Sequence, residues 1–245
     1  MKRTAGRTWS QWGTVLKTFR RNVFAQKLES ETAFLKRFVP SNGVVLDVGA
    51  AYGRFAYLFS KLVRPSGRVY CFEPGDYSFG VLKAIARLNG LSNCELLKLA
   101  LSDKPGTAVL SVPLKGDRRL APSLAHLSPN ANDGSVTDEV QVTTIDTFCS
   151  SRGLARLDFI KCDVEGGEWQ VFSGASAALE RFRPVVLSEV ARGHLQKFGH
   201  TPRELYDFFV SKRYRAYVTE GGERGRVENL DRDHNYFFVP EEKEF

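Results

Sequence analysis

Five acidic side chains stand at the ends of short apolar runs in the sequence. Asp47 lies in VVLDV, Glu73 ends VYCFE, Asp163 and Glu165 follow FIKC, and Glu189 lies in PVVLSEV. If these runs are parallel strands, their carboxyl ends meet at one edge of a sheet, where open α/β sheets bind ligands. Carboxylates at such an edge can hold a hydroxyl group and take its proton, or attract a cationic ligand.

A glycine turn follows the first of these runs. Asp47, Gly49 and Gly53 give the spacing DxGxxxG, which differs from the GxGxxG of dinucleotide-binding loops. An acidic residue at the turn would repel a pyrophosphate, whereas Glu73, farther along the chain, can accept hydrogen bonds from both ribose hydroxyls of an adenosine. Together these features predict a site for S-adenosylmethionine, which has a ribose and a sulfonium but no phosphate. The alternative is that both glycines serve only a tight turn between strand and helix.

Asp163 is the first candidate for contact with an acceptor hydroxyl. Methyl transfer to oxygen needs an in-line approach and the loss of the hydroxyl proton, and a carboxylate can assist both. Glu165 and Glu189 are second candidates, and His194 is a further candidate base because histidine titrates near neutral pH. Structural alternatives remain: Asp163 could cap the following helix, Glu165 could stabilise its N-terminus, and His194 could be an ordinary surface histidine.

Three neighbouring carboxylates could also bind a metal ion. Mg²⁺ takes oxygen ligands and is the ion that such a cluster would suit. These carboxylates do not form a DxD-like ligand set, however, so we expect no metal site.

Apolar strand-like runs alternate with amphipathic helical stretches along most of the chain, which is typical of a parallel sheet covered by helices. CELLKLAL is predicted as one strand, and GEWQVFSGASAALERF as one helix. Residues 106–143 interrupt the alternation with two strand-like runs around a polar stretch. YRAYVTE and HNYFFVP are expected to close the sheet as an antiparallel hairpin. The predicted fold is α/β and Rossmann-like: a mostly parallel seven-stranded sheet flanked by helices, with a β-containing insertion and an N-terminal helical appendage.

Several motifs resemble those of the FkbM family of S-adenosylmethionine-dependent methyltransferases. They are VVLDVGAAYGRF (44–55), VYCFEP (69–74), LALSD (99–103), TTIDTF (143–148) and FIKCDVEGGE (159–168). The resemblance implies a class I methyltransferase domain over residues 41–245, preceded by a basic helical extension over residues 1–40. Carried onto these motifs, the implied cofactor-binding residues are Asp47, Gly49, Ala50, Gly53, Glu73, Pro74, Leu101, Ser102 and Asp163.

The resemblance also implies an activity. A family member typically moves a methyl group from S-adenosylmethionine to a hydroxyl of a sugar, glycolipid or small natural product and releases S-adenosylhomocysteine. An RNA ribose methyltransferase is an alternative suggested by the basic N-terminus. That chemistry usually pairs acids at strand ends with lysines; Asp163 and Glu189 would fit the acids, but no lysine lies between them. A non-catalytic cofactor-binding module is another alternative. The missing GxGxxG disfavours a nicotinamide oxidoreductase.

Positive charge is concentrated at the N-terminus. Residues 1–37 hold nine lysines and arginines against two glutamates, whereas the remaining residues hold 26 basic and 26 acidic side chains. Trp9, Trp12, Leu16, Phe19 and Val23 are spaced to share one face of a helix in this segment. Such a helix could lie on an anionic membrane surface, or its apolar face could pack on the main domain. Because the main body is electrically balanced, we do not expect it to bind nucleic acid.

Composition excludes some classes of protein. The chain is 42% hydrophobic and 26% charged, which is ordinary for a globular protein. It has no apolar run of about 18 residues, so no membrane-spanning helix is predicted. It has no apolar h-region near its start, so we do not expect a secretory signal. The cysteines form no CxxC pair and read as reduced core residues. These features predict a cytoplasmic protein, with peripheral membrane contact through the N-terminal helix as a further possibility.

Overall fold

A computed structural model describes residues 9–24, 30–113, 121–127, 136–220 and 223–244. Within them the helices are, in chain order, α1 (Trp9–Phe24), α2 (Ser30–Phe38), α3 (Arg54–Val63), α4 (Asp76–Leu88), α5 (Ile145–Ser151), α6 (Glu168–Ser173), α7 (Ser176–Phe182), α8 (Arg192–Lys197) and α9 (Pro202–Ser211). A short 3-10 turn spans Pro122–Leu124.

The strands divide between two sheets. In chain order they are β1 (Val44–Val48), β2 (Arg68–Phe72), β3 (Cys94–Leu97), β4 (Ala100–Leu101), β5 (Gly106–Val112), β6 (His126–Leu127), β7 (Val136–Thr143), β8 (Phe159–Cys162), β9 (Val185–Val190), β10 (Tyr214–Glu220), β11 (Glu223–Val227) and β12 (His234–Pro240). The main sheet has the order β11-β10-β12-β9-β8-β1-β2-β3, and the second sheet has the order β4-β7-β5-β6.

The centre of the main sheet is parallel and buried on both faces. Strands β9, β8, β1, β2 and β3 pair in parallel. Successive residues of β1 enter opposite cores, because side chains alternate along a strand: Leu46 packs in one cluster and Val45 in the other. This explains why the strand-like runs are continuously apolar rather than alternating.

The predicted seven-stranded, mostly parallel sheet is wrong in its strand count. The main sheet has eight strands and is mixed, because β10, β11 and β12 join it through three antiparallel pairings. The expected closing hairpin is confirmed, since β10 pairs antiparallel with β12. The additional strand β11 was not predicted because its residues, ERGRV, include only one large apolar side chain.

The β-containing insertion is confirmed as a sheet of its own. β5 and β7, the two predicted strands, pair antiparallel. The run CELLKLAL does not form one strand: β3 ends at Leu97, and β4 begins at Ala100 and pairs with β7 of the second sheet. The chain therefore crosses from one sheet to the other at Lys98 and Leu99, a step that a single apolar pattern does not reveal.

The helix predicted over residues 167–182 is divided in two. Gly174 separates α6 from α7, and a Cβ on this residue would lie 2.2 Å from the carbonyl oxygen of Ser102. The backbones of Gly174 and Ser102 therefore lie too close together for a side chain at residue 174. This contact joins the segment that leads into the insertion to the main domain.

Both N-terminal helices form, but α1 packs only in part through the face that the spacing predicted: of that face, Phe19 is half-buried against α4. Val15 is fully buried against Val81, Ala84 and Ile85 of α4. The side chain of Leu16, by contrast, remains exposed. The side chains of Trp9 and Val23 lie outside the described residues. The division into an extension and a domain at residue 40 stays a prediction.

In the part of the chain that the structure describes, none of the helices has the length and apolar character needed to cross a bilayer.

The close approach at Gly174 can be tested by substitution. Gly174→Ala should lower the free energy of unfolding by about 1–3 kcal/mol, because the new methyl group forces the backbone of Ser102 to shift. For a chain of this size that corresponds to a fall of roughly 2–10 °C in the melting temperature. Gly193→Ala is the matched control, since a Cβ there would meet none of the described atoms within 4 Å. Equal melting temperatures for the two variants would show that the contact relaxes without cost.

Candidate functional site

A cavity of about 470 Å³ lies at the carboxyl ends of β1, β2 and β8. Parallel pairing places the last residues of these strands side by side. The predicted site residues that line the cavity are Gly49, Ala50, Glu73, Pro74, Leu101, Ser102, Asp163 and Glu165. The remaining four, Asp47, Gly53, Glu189 and His194, stand behind or beside these lining residues.

Glu73 is fixed in place by two backbone amides. Its Oε2 accepts a hydrogen bond from the amide of Ala51 at 2.9 Å, and its Oε1 accepts one from the amide of Gly75 at 2.9 Å. Burial raises the pKa of Glu73 to about 7, against the opposing effect of the two amides. Each oxygen retains a lone pair, so the carboxylate can accept further hydrogen bonds from a ligand in the cavity.

The two glycines of the turn have structural roles that can be separated. Gly49 has φ +74°, and a Cβ there would lie 1.8 Å from the carbonyl oxygen of Asp163. Gly53 has φ +82°, and its Cβ would lie 2.7 Å from a methyl group of Leu82. Gly49 lets β1 and β8 converge at the cavity, whereas Gly53 lets α3 pack on α4 and does not itself line the cavity.

Asp47 lies beneath the cavity rather than in its wall. It is fully buried, and neither of its carboxylate oxygens has a hydrogen-bond partner among the described residues. Burial raises its pKa to about 6, although the nearby ammonium of Lys161 works in the opposite direction. The DxGxxxG turn therefore contains a carboxyl group whose charge is costly.

Lys161 is a site residue that the sequence patterns did not predict. Its buried ammonium lies 3.0 Å from Oδ2 of Asp163 and 3.3 Å from the carbonyl oxygen of Gly49. Burial lowers the pKa of Lys161, but Asp163 and Asp47 outweigh that effect and keep the amine charged. A signal was present: lysine is almost never fully buried unless it is paired, and FIKC was already predicted to be a buried strand.

Asp163, Glu165 and Glu189 form the acidic cluster that the strand ends predicted. One carboxylate oxygen of each lies within 4.8 Å of the others. Burial raises the pKa of Asp163, but Lys161 and a hydrogen bond from Glu189 lower it by more. The net pKa is below the ordinary value, so Asp163 is ionised. Burial and the Asp163 charge raise the pKa of Glu189 to about 8. The cluster thus holds one fixed negative charge next to a carboxyl group that retains its proton at neutral pH.

Glu165 and His194 form a second pair at the edge of the cluster. His194 Nδ1 lies 3.2 Å from Oε2 of Glu165. Burial, followed by repulsion from Asp163, raises the pKa of Glu165 to about 7. Burial and Lys197 lower the pKa of His194. Glu165 also has φ +59°, a left-handed conformation that is rare outside glycine and frequent where a side chain must be aimed at a site.

Asp163 does not cap the helix that follows it. α6 begins after Gly167 without a side-chain cap. Buried Glu168 instead accepts hydrogen bonds from the amides of Val164 at 3.1 Å and Gly166 at 3.3 Å. This structural role leaves the carboxylate of Asp163 available to the cavity.

The opposite wall of the cavity comes from the insertion. Leu101 and Ser102 reach it from β4, and further lining is supplied by the 3-10 turn and β6, including Pro122 and His126. Arg54, the first residue of α3, adds a cationic side chain to the lining and was not predicted.

Arg118, Arg119 and Arg192 follow strand ends or lie in the insertion, where a guanidinium could bind an anionic acceptor. Arg118 and Arg119 lie outside the described residues. The guanidinium of Arg192 donates to the carbonyl oxygen of Asp231, and its backbone amide donates to Asp233 at 2.8 Å. Arg192 thus anchors the start of α8 and does not line the cavity.

The charge on Asp47 should appear in the pH dependence of stability. Its folded-state pKa of about 6 exceeds its ordinary value of 3.8, so its neutral form stabilises the fold at low pH and that contribution is lost as pH rises through 6. Asp47→Asn should therefore gain stability relative to wild type between about pH 4 and pH 7, by up to ~3 kcal/mol. Thermal unfolding across this range measures the difference.

The matched control for this experiment is Asp138→Asn, an exposed position on β7. A pH-independent difference for Asp47→Asn would show that Asp47 does not titrate in this range.

Comparison with known proteins agrees with this geometry. Residues 47–217 match the methyltransferase FkbM domain. The 2-O-methyltransferase NoeI of Sinorhizobium fredii (strain NBRC 101917 / NGR234) is 28% identical over 179 residues, which is 65% of this chain and 71% of NoeI. The methyltransferase sdnD of Sordaria araneosa is 28% identical over 160 residues, which is 56% of this chain and 61% of sdnD.

A solved structure shares the fold. The methyltransferase FkbM from Methylobacillus flagellatus KT superposes with a TM-score of 0.52 at 14% identity, covering 94% of this chain and 61% of that one. The chain thus spans less than two thirds of the Sordaria and Methylobacillus proteins. The family match, in contrast, covers more than half of the chain and includes all the residues that line the cavity. The chain belongs to the FkbM methyltransferase domain family, and its enzyme class is methyltransferase.

Proposed function

We propose that the protein is an S-adenosylmethionine-dependent O-methyltransferase whose acceptor is a hydroxyl of a sugar, glycolipid or small natural product. The observation that carries the proposal is that one cavity holds both Glu73, a fixed acceptor for hydroxyl donors, and the ionised Asp163. The relative NoeI is named a 2-O-methyltransferase, which supports oxygen as the acceptor atom.

The cofactor half of the cavity suits S-adenosylmethionine. Its volume is in the range of small-molecule sites. The free lone pairs of Glu73 match the two ribose hydroxyls, and Pro74, Leu101 and Ser102 would surround the rest of the nucleoside. Arg54, at the start of α3, lines the cavity, and its guanidinium and the N-terminal end of the helix would favour the methionyl carboxylate. When bound, the cofactor supplies an electrophilic methyl group on a sulfonium.

The acceptor half has the groups needed to hold a hydroxyl and remove its proton. Asp163, kept ionised by Lys161, can accept the hydrogen bond that orients the acceptor oxygen. Its lowered pKa makes it a weak base. Glu165, with a pKa of about 7, is better matched to proton transfer near neutral pH. His194, whose Nδ1 lies 3.2 Å from Glu165 but is not aligned for a hydrogen bond with it, is the nearest second group that could exchange a proton with Glu165.

We propose that no metal ion is required. The donor set of Asp163, Glu165 and Glu189 is chemically able to bind Mg²⁺. However, the ammonium of Lys161 already neutralises Asp163, and Glu189 is held in its protonated form. A divalent ion would have to displace that proton and bind beside a cation. Activity that a chelator abolishes and Mg²⁺ restores would contradict this view.

RNA ribose methylation is the second candidate. Its expected lysine, absent between Asp163 and Glu189 in the sequence, is supplied by Lys161, which contacts Asp163. The same transfer assay with an RNA acceptor distinguishes the two substrates. A non-catalytic module would bind the cofactor and transfer no methyl group to either.

Glu73 should control cofactor affinity. Glu73→Gln should weaken S-adenosylhomocysteine binding roughly ten- to one-hundred-fold, because the ribose hydroxyls lose a charged acceptor worth ~1.5–3 kcal/mol. In wild type, affinity should rise with pH as Glu73 ionises around pH 7, and this rise should be absent in the variant. Isothermal titration measures both effects.

Two controls accompany the titration. Glu223→Gln, an exposed position on β11, should bind like wild type. NAD should not raise the melting temperature of wild type, whereas saturating S-adenosylhomocysteine should raise it by roughly 5–10 °C. A shift with NAD alone would remove this cofactor assignment, whereas unchanged affinity in Glu73→Gln would remove Glu73 from the binding site.

Asp163 should control turnover rather than cofactor affinity. Asp163→Asn keeps the shape of the side chain but loses the charge that orients the acceptor, so transfer should fall by roughly 100-fold or more. Transfer of labelled methyl groups to a panel of sugar and natural-product hydroxyls is the readout, with Asp138→Asn as the control. Equal turnover of Asp163→Asn and wild type would assign Asp163 a structural role.

A further inference from the structure

The outward face of α1 combines large apolar and basic side chains. Trp12 is 42% exposed and Leu16 is 58% exposed. Lys17 and Arg20 lie on the same side of the helix and are also exposed. A Cβ added at Gly13, which lies between these residues on the helix surface, would meet none of the described atoms outside its own helix within 4 Å. The positions 12, 16 and 20 follow one another at four-residue intervals and form one continuous surface.

The opposite face of α1 is occupied by packing on the domain. Val15 and Thr18 are buried there, half-buried Phe19 packs with Val15 against α4, and the hydroxyl of Thr14 hydrogen-bonds to Tyr77 of α4 at 2.9 Å. With that face packed, the helix still exposes Leu16 and a large part of Trp12 on its other side.

The charge of the segment indicates what covers this face. Residues 1–37 carry nine basic and two acidic side chains, whereas the rest of the chain is balanced. Basic side chains flanking exposed tryptophan and leucine on one helix are the pattern of helices that lie in the interface of anionic bilayers. Tryptophan is favoured at that depth because its ring is apolar and its N–H is polar.

We propose that α1 docks the protein on the surface of an anionic lipid bilayer. Trp12 and Leu16 enter the interfacial region, and Lys17 and Arg20 contact the acidic headgroups. The helix has 16 residues and is about 24 Å long, and it lies parallel to the surface because its opposite face is occupied by α4.

Docking in this orientation brings the cavity close to the lipid. Tyr77, bonded to Thr14 of α1, packs edge-to-face on Tyr52 with ring centres 6.3 Å apart, and Tyr52 lines the cavity. The 3-10 turn, another part of the cavity wall, also contacts α4, since the hydroxyl of Ser78 donates to the carbonyl of Pro122 at 3.4 Å. The docking helix is thus linked to the cavity wall through the contacts of Thr14, Tyr77 and Tyr52.

Vesicle sedimentation of the full chain tests the proposal without an acceptor or cofactor. The protein should sediment with vesicles of phosphatidylcholine and phosphatidylglycerol but not with phosphatidylcholine alone, and added salt should weaken binding. Replacing both Trp12 and Leu16 by Gln, or both Lys17 and Arg20 by Gln, should lower the partition coefficient roughly ten-fold or more.

Val210→Gln is the matched control, because Val210 is an exposed apolar residue on α9, 45% exposed, outside the proposed face. It should sediment like wild type. Unchanged melting temperatures would show that all variants are folded.

Three results would overturn the proposal. Wild type could fail to sediment with anionic vesicles, or the variant at Trp12 and Leu16 could sediment as well as wild type. Concentration-dependent self-association that this variant abolishes, without vesicle binding, would identify a second copy of the chain as the occupant. Because cofactor titration does not depend on vesicles, each outcome leaves the proposed methyl transfer to be judged separately.

Discussion

The ammonium of Lys161 joins the parts of the site that the fold brings together. It lies between the ionised Asp163 and the buried Asp47, and it also bonds to the carbonyl of Gly49. A buried carboxylate without a partner cation would lose its charge or destabilise the protein. This one cation therefore allows β1 and β8 to end side by side with a carboxylate at each strand end, and its hydrogen bond to Gly49 fixes the turn that lines the cavity.

The protonation states around the cavity follow from the same interaction. Burial raises the pKa values of Glu165 and Glu189, and the fixed negative charge of Asp163, which Lys161 keeps ionised, raises them further. Glu189 keeps its proton and donates a hydrogen bond to Asp163. Glu165, beside His194, has a pKa of about 7. The cluster thus separates two tasks between carboxylates of the same chemical type: Asp163 is suited to orient a hydroxyl, and Glu165 is suited to exchange a proton.

Much of the fold was readable from local patterns. The parallel core, the DxGxxxG turn, Glu73 at the end of β2 and the strands of the insertion were all predicted correctly, because each depends on residues adjacent in the chain. Apolar runs bounded by turn residues form strands, and polar residues at their ends face the ligand edge of the sheet. The errors came where pattern and packing differ: CELLKLAL divides between two sheets, and the polar strand β11 forms because β10 offers it an edge.

The sequence by itself determined the elements of this protein and the chemical types of side chain that they carry to the cavity. Only the tertiary structure decided how those side chains are paired. Lys161 meets the carbonyl of Gly49, 112 residues away, and Glu165 meets His194 across the ends of two strands. It also decided that α1 turns Val15 inward and leaves Leu16 exposed. Helical or strand period identifies a face, but which face is buried, and which charge is neutralised, depends on contacts between segments that are distant in the chain.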